Sequence, residues 1–436
     1  MKKIIVFSAL VAILIAPLHT FAMTRIVPIK VSQGLTTTGE RWYPAEADGA
    51  ATVSSTDGVG SPVAVSGTMA NLFVNVTAAP GTGNSWKFAL YKNGADTGLT
   101  CTISDTATSC SDVVDSVALV EGTDLISWSV TPTGTPAAGS FQASATFAGT
   151  NAGEINAWGA TRTNIAIAGF NDFGTFGGTE RTTIGDANVY APTNFTIDKL
   201  YIRNSGSVTG GNITVTLYKN GVATALSAAL VPGDTTTTIR SDTTHSVSVS
   251  TGDLLAIEVT NASGSLRAVR WGMRYTPSID GEFPLMGAGT TLSTGAVRYV
   301  EVAAGIGSNS TESTAQMYMP IASVMKKAAW VINPAPGTGK SWTFVSRLTG
   351  GNGNLTGTIS DTNSTTTDNV NSDNAPQGTL YNWRSSPSGT PTSVTGLKFS
   401  LVSYIAPPAV VSGLVSSQFR ILGGLFKLLG GHFVIR

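Results

Sequence analysis

The chain repeats itself. Pro80-Gly81-Thr82-Gly83-Asn84-Ser85-Trp86-Lys87-Phe88 returns as Pro336-Gly337-Thr338-Gly339-Lys340-Ser341-Trp342-Thr343-Phe344, from position 80 to 336, an offset of 256. Thr102-Ile103-Ser104-Asp105-Thr106 returns as Thr358-Ile359-Ser360-Asp361-Thr362 in the same register. Between them, Leu90-Tyr91-Lys92-Asn93-Gly94 recurs as Leu217-Tyr218-Lys219-Asn220-Gly221, from 90 to 217, an offset of 127 and close to half of 256. One module in three tandem copies is the reading these spacings allow. A module of roughly 120 residues can close its own core, and 436 residues hold three of them. We place the copies at 23–150, 151–290 and 291–405.

Within a copy the text alternates with a period of two, the mark of a strand with one buried face. Leu72, Val74 and Val76 fall on one side and Phe73 and Asn75 on the other; Trp86, Phe88 and Leu90 alternate with Lys87, Ala89 and Tyr91. Asn93-Gly94 is a strong signal for a tight hairpin. About eight short strands per copy, with no convincing amphipathic helix, predict an all-β chain of three tandem antiparallel β-sandwiches, with jelly-roll closure as the first expectation.

Charged residues are 12% of the chain and Lys plus Arg balance Asp plus Glu at 26 each. That argues against nucleic acid, which selects a basic stripe. Residues 1–22 differ from the rest: Lys2 and Lys3 precede the apolar run Ile4 to Leu18, and small residues close the segment at Ala22. This is the pattern of a secretory signal peptide; a retained anchor or a start at Met23 are the alternatives. No other stretch approaches about 18 apolar residues, so no membrane partner is expected once the signal is removed. Export predicts an extracellular or cell-surface location, with a virion as the alternative. In that setting Cys101 and Cys110, the only two cysteines, are expected to form a disulfide across a hairpin. By the 256 offset their counterparts in the third copy are Gly357 and Thr366, so the bridge is a local staple.

Chemistry-bearing constellations are scarce. The three histidines are His19, His245 and His432, too few for a His/Cys metal cluster. Asp242, His245 and Ser246 imitate a triad, but the first copy has Asp115 in place of the histidine, which favours a strand-entry turn. Asp105, Asp124, Asp253 and Asp361 sit among turn residues. Gly337-Thr338-Gly339-Lys340-Ser341 imitates a phosphate loop but lacks the spacing and the following helix. We expect no enzyme activity, no catalytic residue, no metal and no cofactor.

Tryptophan is the better lead. Trp86, Trp128 and Trp342 fall on repeat strands and are expected in the core; Trp42, Trp158 and Trp383, less regularly placed, are candidate platforms for a glycan or protein partner. Residues 406–436 form an apolar tail with a seven-residue beat, Phe-x-Ile/Leu-Leu-Gly-Gly. Paired glycines weaken a helix by about 1 kcal/mol each and suit two-residue hairpin turns, so short strands are predicted, with Phe419, Ile421, Phe426, Leu428, Phe433 and Ile435 on one face. Such a meander needs something to pack on. We therefore expect a homo-oligomer or larger assembly made through this tail.

The string from Ala79 to Gly94, continuing through Leu99 to Ser104, resembles a module of phage tail-fibre-like and bacterial surface proteins. The resemblance rests on turn and strand signatures. It implies a non-enzymatic structural protein of an extracellular surface or virion appendage, with a glycan- or receptor-binding adhesin as the alternative, and transfers no catalytic residue.

Overall fold

The computed structural model describes residues 22–30, 35–46, 59–161, 168–172, 181, 183–263, 268–289, 291–302, 308–394, 396–407, 420–421, 424–429 and 432–435. The expected signal segment lies outside them, apart from Ala22.

The first copy supplies β1 (Ala22–Lys30), β2 (Arg41–Pro44), β3 (Ser61–Pro62), β4 (Gly67–Val76), β5 (Gly81–Lys92), β6 (Ala95–Asp105), β7 (Ser109–Leu119), β8 (Leu125–Thr133) and β9 (Phe141–Ala152). They form two sheets, β1-β9-β4-β7 and β2-β8-β5-β6, with the short β3 attached to β8. Setting β3 aside, first pairs with last and second with penultimate, which is the strand order of a jelly roll. The second copy repeats it with β10 (Ile155–Ala160), β11 (Ala168–Asp172), β12 (Val189–Tyr190), β13 (Phe195–Asn204), β14 (Ile213–Lys219), β15 (Val222–Leu230), β16 (Arg240–Val249), β17 (Leu254–Asn261) and β18 (Val269–Pro277). Its sheets are β10-β18-β13-β16 and β11-β17-β14-β15, with β12 on β17. The third has β19 (Glu282–Gly289), β20 (Arg298–Val300), β21 (Met317–Tyr318), β22 (Ser323–Asn333), β23 (Gly337–Leu348), β24 (Gly351–Asp361), β25 (Thr365–Ala375), β26 (Leu380–Ser388) and β27 (Gly396–Tyr404). Its sheets are β19-β27-β22-β25 and β20-β26-β23-β24, with β21 on β26.

Sheet membership moves one boundary. Because β19 pairs with β27, residues from 282 belong to the third sandwich, so the junction lies at 278–281 and not at 290. The first strand of a jelly roll pairs with its last, across most of the module, so nothing local in the sequence says which copy it joins.

Local chemistry explains the regularity. The alternation in β4 and β5 is realised, with Leu72, Val74, Val76, Trp86, Phe88 and Leu90 all buried. Asn93-Gly94, Asn220-Gly221 and Thr349-Gly350 each place two residues at positive φ, the twist a two-residue hairpin requires. A bulge recurs in β4, β13 and β22 at Asn71, Lys199 and Lys327, where φ is 54°, 49° and 53°. No glycine marks it, so it is a structural landmark with no sequence signal.

The three sandwiches do not stand in a row. Each places its short extra strand on the β1-type sheet of another: β3 packs on β18, β10 and β13; β12 packs on β27, β22 and β19; β21 packs on β9 and β4. First on second, second on third and third on first is a head-to-tail contact that closes, giving a ring with approximate threefold symmetry within one chain.

After Pro407 the described strands are β28 (Arg420–Ile421), β29 (Gly424–Leu429) and β30 (His432–Ile435), an antiparallel three-stranded sheet. Leu429 pairs with His432, and the expected turn residues Gly430-Gly431 lie outside the described residues. Ile421 pairs with Gly424, which places Gly424 in a strand, and Leu422-Gly423 lie outside the described residues. Phe426 is opposite Ile435 and Leu428 opposite Phe433; Phe419 lies outside the described residues.

Candidate functional site

The geometry that matters here is that of the junctions, because they hold the ring closed. Pro62, Tyr190 and Tyr318 are equivalent, each pairing with the first residue of the neighbouring strand β8, β17 or β26. The Pro62 carbonyl accepts the Trp158 indole N–H at 3.0 Å. It also lies so close to Gly272 that a Cβ there would stand 2.2 Å from it. At the position equivalent to Gly272 the first sandwich has Ser144, whose hydroxyl donates to the Tyr318 carbonyl at 2.7 Å. Further bonds differ from junction to junction. Asn156 Oδ1 accepts the Ala64 and Val65 N–H groups at 2.5 and 3.0 Å, and Arg203 Nη1 donates to the Gly60 carbonyl at 2.8 Å. Gln142 donates to the Thr314 carbonyl at 2.6 Å. Between the second and third sandwiches the Thr193 hydroxyl donates to Glu282 at 2.5 Å, and Lys327 contacts the same carboxylate at 2.8 Å. Burial alone would raise the Glu282 pKa; the bonds from Lys327, Thr193 and Lys326 outweigh it and lower it. One shape, three chemistries: each junction fits its own partner.

At the centre, equivalent positions of the three first strands converge. Arg25, Ile155 and Phe283 occupy one register position, opposite Phe147, Tyr275 and Ser403 respectively. Arg25 Cζ sits 4.5 Å from the Phe283 ring centre and 5.2 Å from that of Trp158, so a first-sandwich cation touches both other sandwiches. Glu46 pairs with it bidentately: Nη1 donates to Oε1 at 2.6 Å and Nη2 to Oε2, which also accepts the Trp158 backbone N–H at 3.0 Å. Both side chains are fully buried. Burial disfavours the carboxylate and pushes Glu46 up to about 7, against the opposing charge and hydrogen bonds of Arg25. Sequence reasoning passed over this pair. Its signal was a lone charge inside the apolar strand text around Arg25, but nothing pointed to Glu46 as partner.

The expected aromatic platforms are corrected. Trp42 is 7% exposed and packs edge-on against Tyr91; Trp158 and Trp383 are each 1% exposed. All eight tryptophans are buried, three of the less regular ones because sandwich cores and junctions consume them. The Cys101–Cys110 disulfide is present. Its strands β6 and β7 belong to opposite sheets, so it staples the two sheets and does not cross a paired hairpin. In the third copy a Cβ on Gly357 would meet Thr366 and the Trp330 ring, each at 2.7 Å: the indole fills the space the bridge occupies in the first.

The sham triad and the sham phosphate loop resolve into turn chemistry. Asp242 accepts the N–H groups of Ser227, Thr244 and His245 at 3.1, 3.1 and 3.2 Å, as well as His245 Nδ1 at 2.8 Å. Asp112 does the same for Thr100, Val114 and Asp115, and Asp368 for Thr356, Val370 and Asn371. For all three, burial would raise the pKa, and these hydrogen bonds outweigh it and lower it. The clamps take up N–H groups on the outermost strands β7, β16 and β25, where an open edge would otherwise recruit another strand. Gly337–Leu348 is one continuous strand, with the Gly339 N–H held by Asp361 at 2.7 Å. Among the described residues no three His, Cys, Asp or Glu side chains gather to hold a metal.

One further place stands out. Ala22, Met23 and Thr24 line the same small cleft as Ile405, Ala406 and Pro407, and the Ile405 N–H bonds the Gly281 carbonyl at 3.0 Å. The chain enters and leaves the ring at one point. Beside it runs a groove of about 330 Å³, mostly apolar, lined by Val324, Ala375, Pro376, Tyr404 and Ala406 among others.

No protein-family model matches the chain, and no curated protein does either. Among solved structures, it is similar to the protein described under the triple jelly roll fold and turret assembly of an archaeal virus, at 12% identity over 87% of this chain and 96% of that one, with a TM-score of 0.18. A structure from Sulfolobus turreted icosahedral virus matches at 12% identity over 87% and 95% of the two chains, with a TM-score of 0.16. The VP2 subviral particle of infectious bursal disease virus matches at 9% identity over 89% and 82%, with a TM-score of 0.15. At such scores the assignment of fold rests on the strand order itself: the chain is three jelly-roll sandwiches closed into a ring.

Proposed function

We propose that this protein is a non-enzymatic structural block of an extracellular surface or virion, anchored to a larger assembly through residues 406–436. The observation that carries the reading is the closed ring. Its head-to-tail contacts are all satisfied within one chain, so the module's own docking surface is spent internally. Growth into a larger object then falls to another part of the molecule. The apolar tail, leaving the ring beside an apolar groove, is that part. The adhesin alternative loses its three named platforms to burial.

Mass photometry and electron microscopy of the full chain, beside a variant ending at Pro407, test the reading. We expect the full chain to form assemblies or attach to its parent particle and the shortened chain to remain a single intact ring. Identical behaviour of the two would overturn it.

A further inference from the structure

We infer that the junction between the first and second sandwiches is a binding site for a tetrahedral oxyanion of the size of phosphate or sulfate, held by Arg203 with Arg270 beside it.

Three observations converge there. The first is a cavity of about 220 Å³ between the two sandwiches. Gly60, Thr123 and Ser127 line it from the first sandwich and Arg203, Thr236 and Thr237 from the second, and no acidic side chain lines it among the described residues. Arg203 is 1% exposed; its Nη1 donates to the Gly60 carbonyl at 2.8 Å and its Nη2 to that of Thr236. Gly60 leaves the room this needs, since a Cβ there would stand 2.7 Å from Nη1.

The second is a further cation. Arg270 lies directly opposite Arg203 in the β13–β18 register. Two residues from Gly272, it shares the face turned towards Pro62. It is 2% exposed and, among the described residues, donates to main-chain carbonyls alone, Thr161 at 3.5 Å and Val269 at 3.2 Å, with Nε left unbonded. Like charges facing each other across a strand pair repel, and a buried charge without a counter-charge is costly. Burial, and after it the Arg203 charge, pulls the Arg270 pKa down to about 9, which still leaves the group charged at neutral pH. The described carboxylates nearest in sequence to the lining residues are engaged elsewhere. Asp124 accepts the Val120 N–H at 2.8 Å and Asn93 Nδ2 at 2.7 Å, Glu121 takes Lys199 at 2.9 Å, and Asp234 takes Arg240 Nη2 at 2.7 Å.

The third is the contrast among junctions. The cross-strand pair Arg203↔Arg270 corresponds to Asn75↔Gln142 in the first sandwich and Val331↔Lys398 in the third. Gln142 is neutral, and Lys398 is a single cation whose charge interacts with that of Asp186. The same contact therefore closes twice without two cations, and ring closure does not call for the facing arginines. An oxyanion does. It takes charge-assisted N–H bonds from a guanidinium, the hydroxyl-bearing Thr123, Ser127, Thr236 and Thr237 supply further donors, and its charge offsets both arginines. Because both sandwiches line the cavity, the bound anion bridges them, and the site is complete only where the ring is closed.

The test is calorimetric titration and thermal unfolding of the full chain in sodium phosphate against sodium chloride at matched pH and ionic strength. It is repeated for R203M and T237D, with circular dichroism confirming the fold of each. We expect saturable phosphate binding by the parent and an unfolding midpoint that climbs with the logarithm of phosphate concentration above half-saturation. R203M should raise the half-saturating concentration at least about tenfold, as loss of a charged hydrogen-bonding partner does. T237D retains both arginines and offers them a tethered carboxylate, so it should unfold above the parent in chloride and lose the response to phosphate. Absence of saturable binding by the parent would overturn the inference. So would a midpoint shift of equal size in chloride, or one kept in full by T237D, since a general salting effect of phosphate acts on every variant alike. Should R203M fail to fold, T237D decides the matter alone.

Discussion

Removing one member of the buried pair at the centre of the ring should cost far more than removing both. In E46L the Arg25 guanidinium loses both carboxylate bonds and keeps a long contact to the Ile26 carbonyl at 3.3 Å, enclosed by the Trp158 and Phe283 rings. It cannot shed its charge, so the loss should be about 3–5 kcal/mol, the usual result of orphaning a buried ion. R25M leaves a carboxylate that retains the Trp158 N–H and can take up a proton. Burial already favours the neutral form, so the cost should be smaller and should shrink between pH 8 and pH 5.5. The double variant R25M/E46L restores an apolar centre and should fall within about 2 kcal/mol of the parent. Urea unfolding followed by tryptophan fluorescence reads all four proteins at both pH values. Single losses that simply add in the double variant, or an E46L protein as stable as the parent, would refute the argument.

Other consequences are cheaper to check. G272A places a Cβ 2.2 Å from the Pro62 carbonyl and should cost about 1–3 kcal/mol by overpacking. S144A at the equivalent position gives up one hydrogen bond, about 1 kcal/mol; thermal unfolding of the pair ranks them. The aspartate clamps have folded pKa values below their unfolded ones, so they contribute stability above the ordinary range near 4 that is lost as pH falls further. Glu46, raised to about 7, works in the opposite sense, contributing below about pH 4.5 and losing that contribution as pH rises towards 7. A denaturation series from pH 2 to 8 should show the steep acid limb, and D242N should flatten it. Replacing Cys101 and Cys110 by alanine opens a loop of separation 9 and should cost about 3 kcal/mol on the chain-entropy estimate, measured beside the reduced parent.

Strand content and the jelly-roll guess were legible because they rest on local marks. Asn93-Gly94 and Asn220-Gly221 announce hairpins, and the alternation through Trp86, Phe88 and Leu90 shows a buried face. The two cysteines found each other for the same local reason. What escaped was whatever depends on contact between modules. Gly272 reads as an ordinary strand glycine until the Pro62 carbonyl is placed against it. Trp158 looks like a spare aromatic until it is seen stacked beside Arg25 and bonded to Pro62. The bulges at Asn71, Lys199 and Lys327 have no glycine to betray them. The misplaced junction near 290 has the same origin, since β19 owes its membership to β27, more than a hundred residues on.

The central claim is that three sandwiches close on each other within one chain. Single-particle electron microscopy of the purified protein tests it most directly. The structure predicts a compact three-lobed particle, near-threefold in end view, with no gap between the first and third lobes. An extended string of three beads, or a particle open between those two lobes, would contradict it.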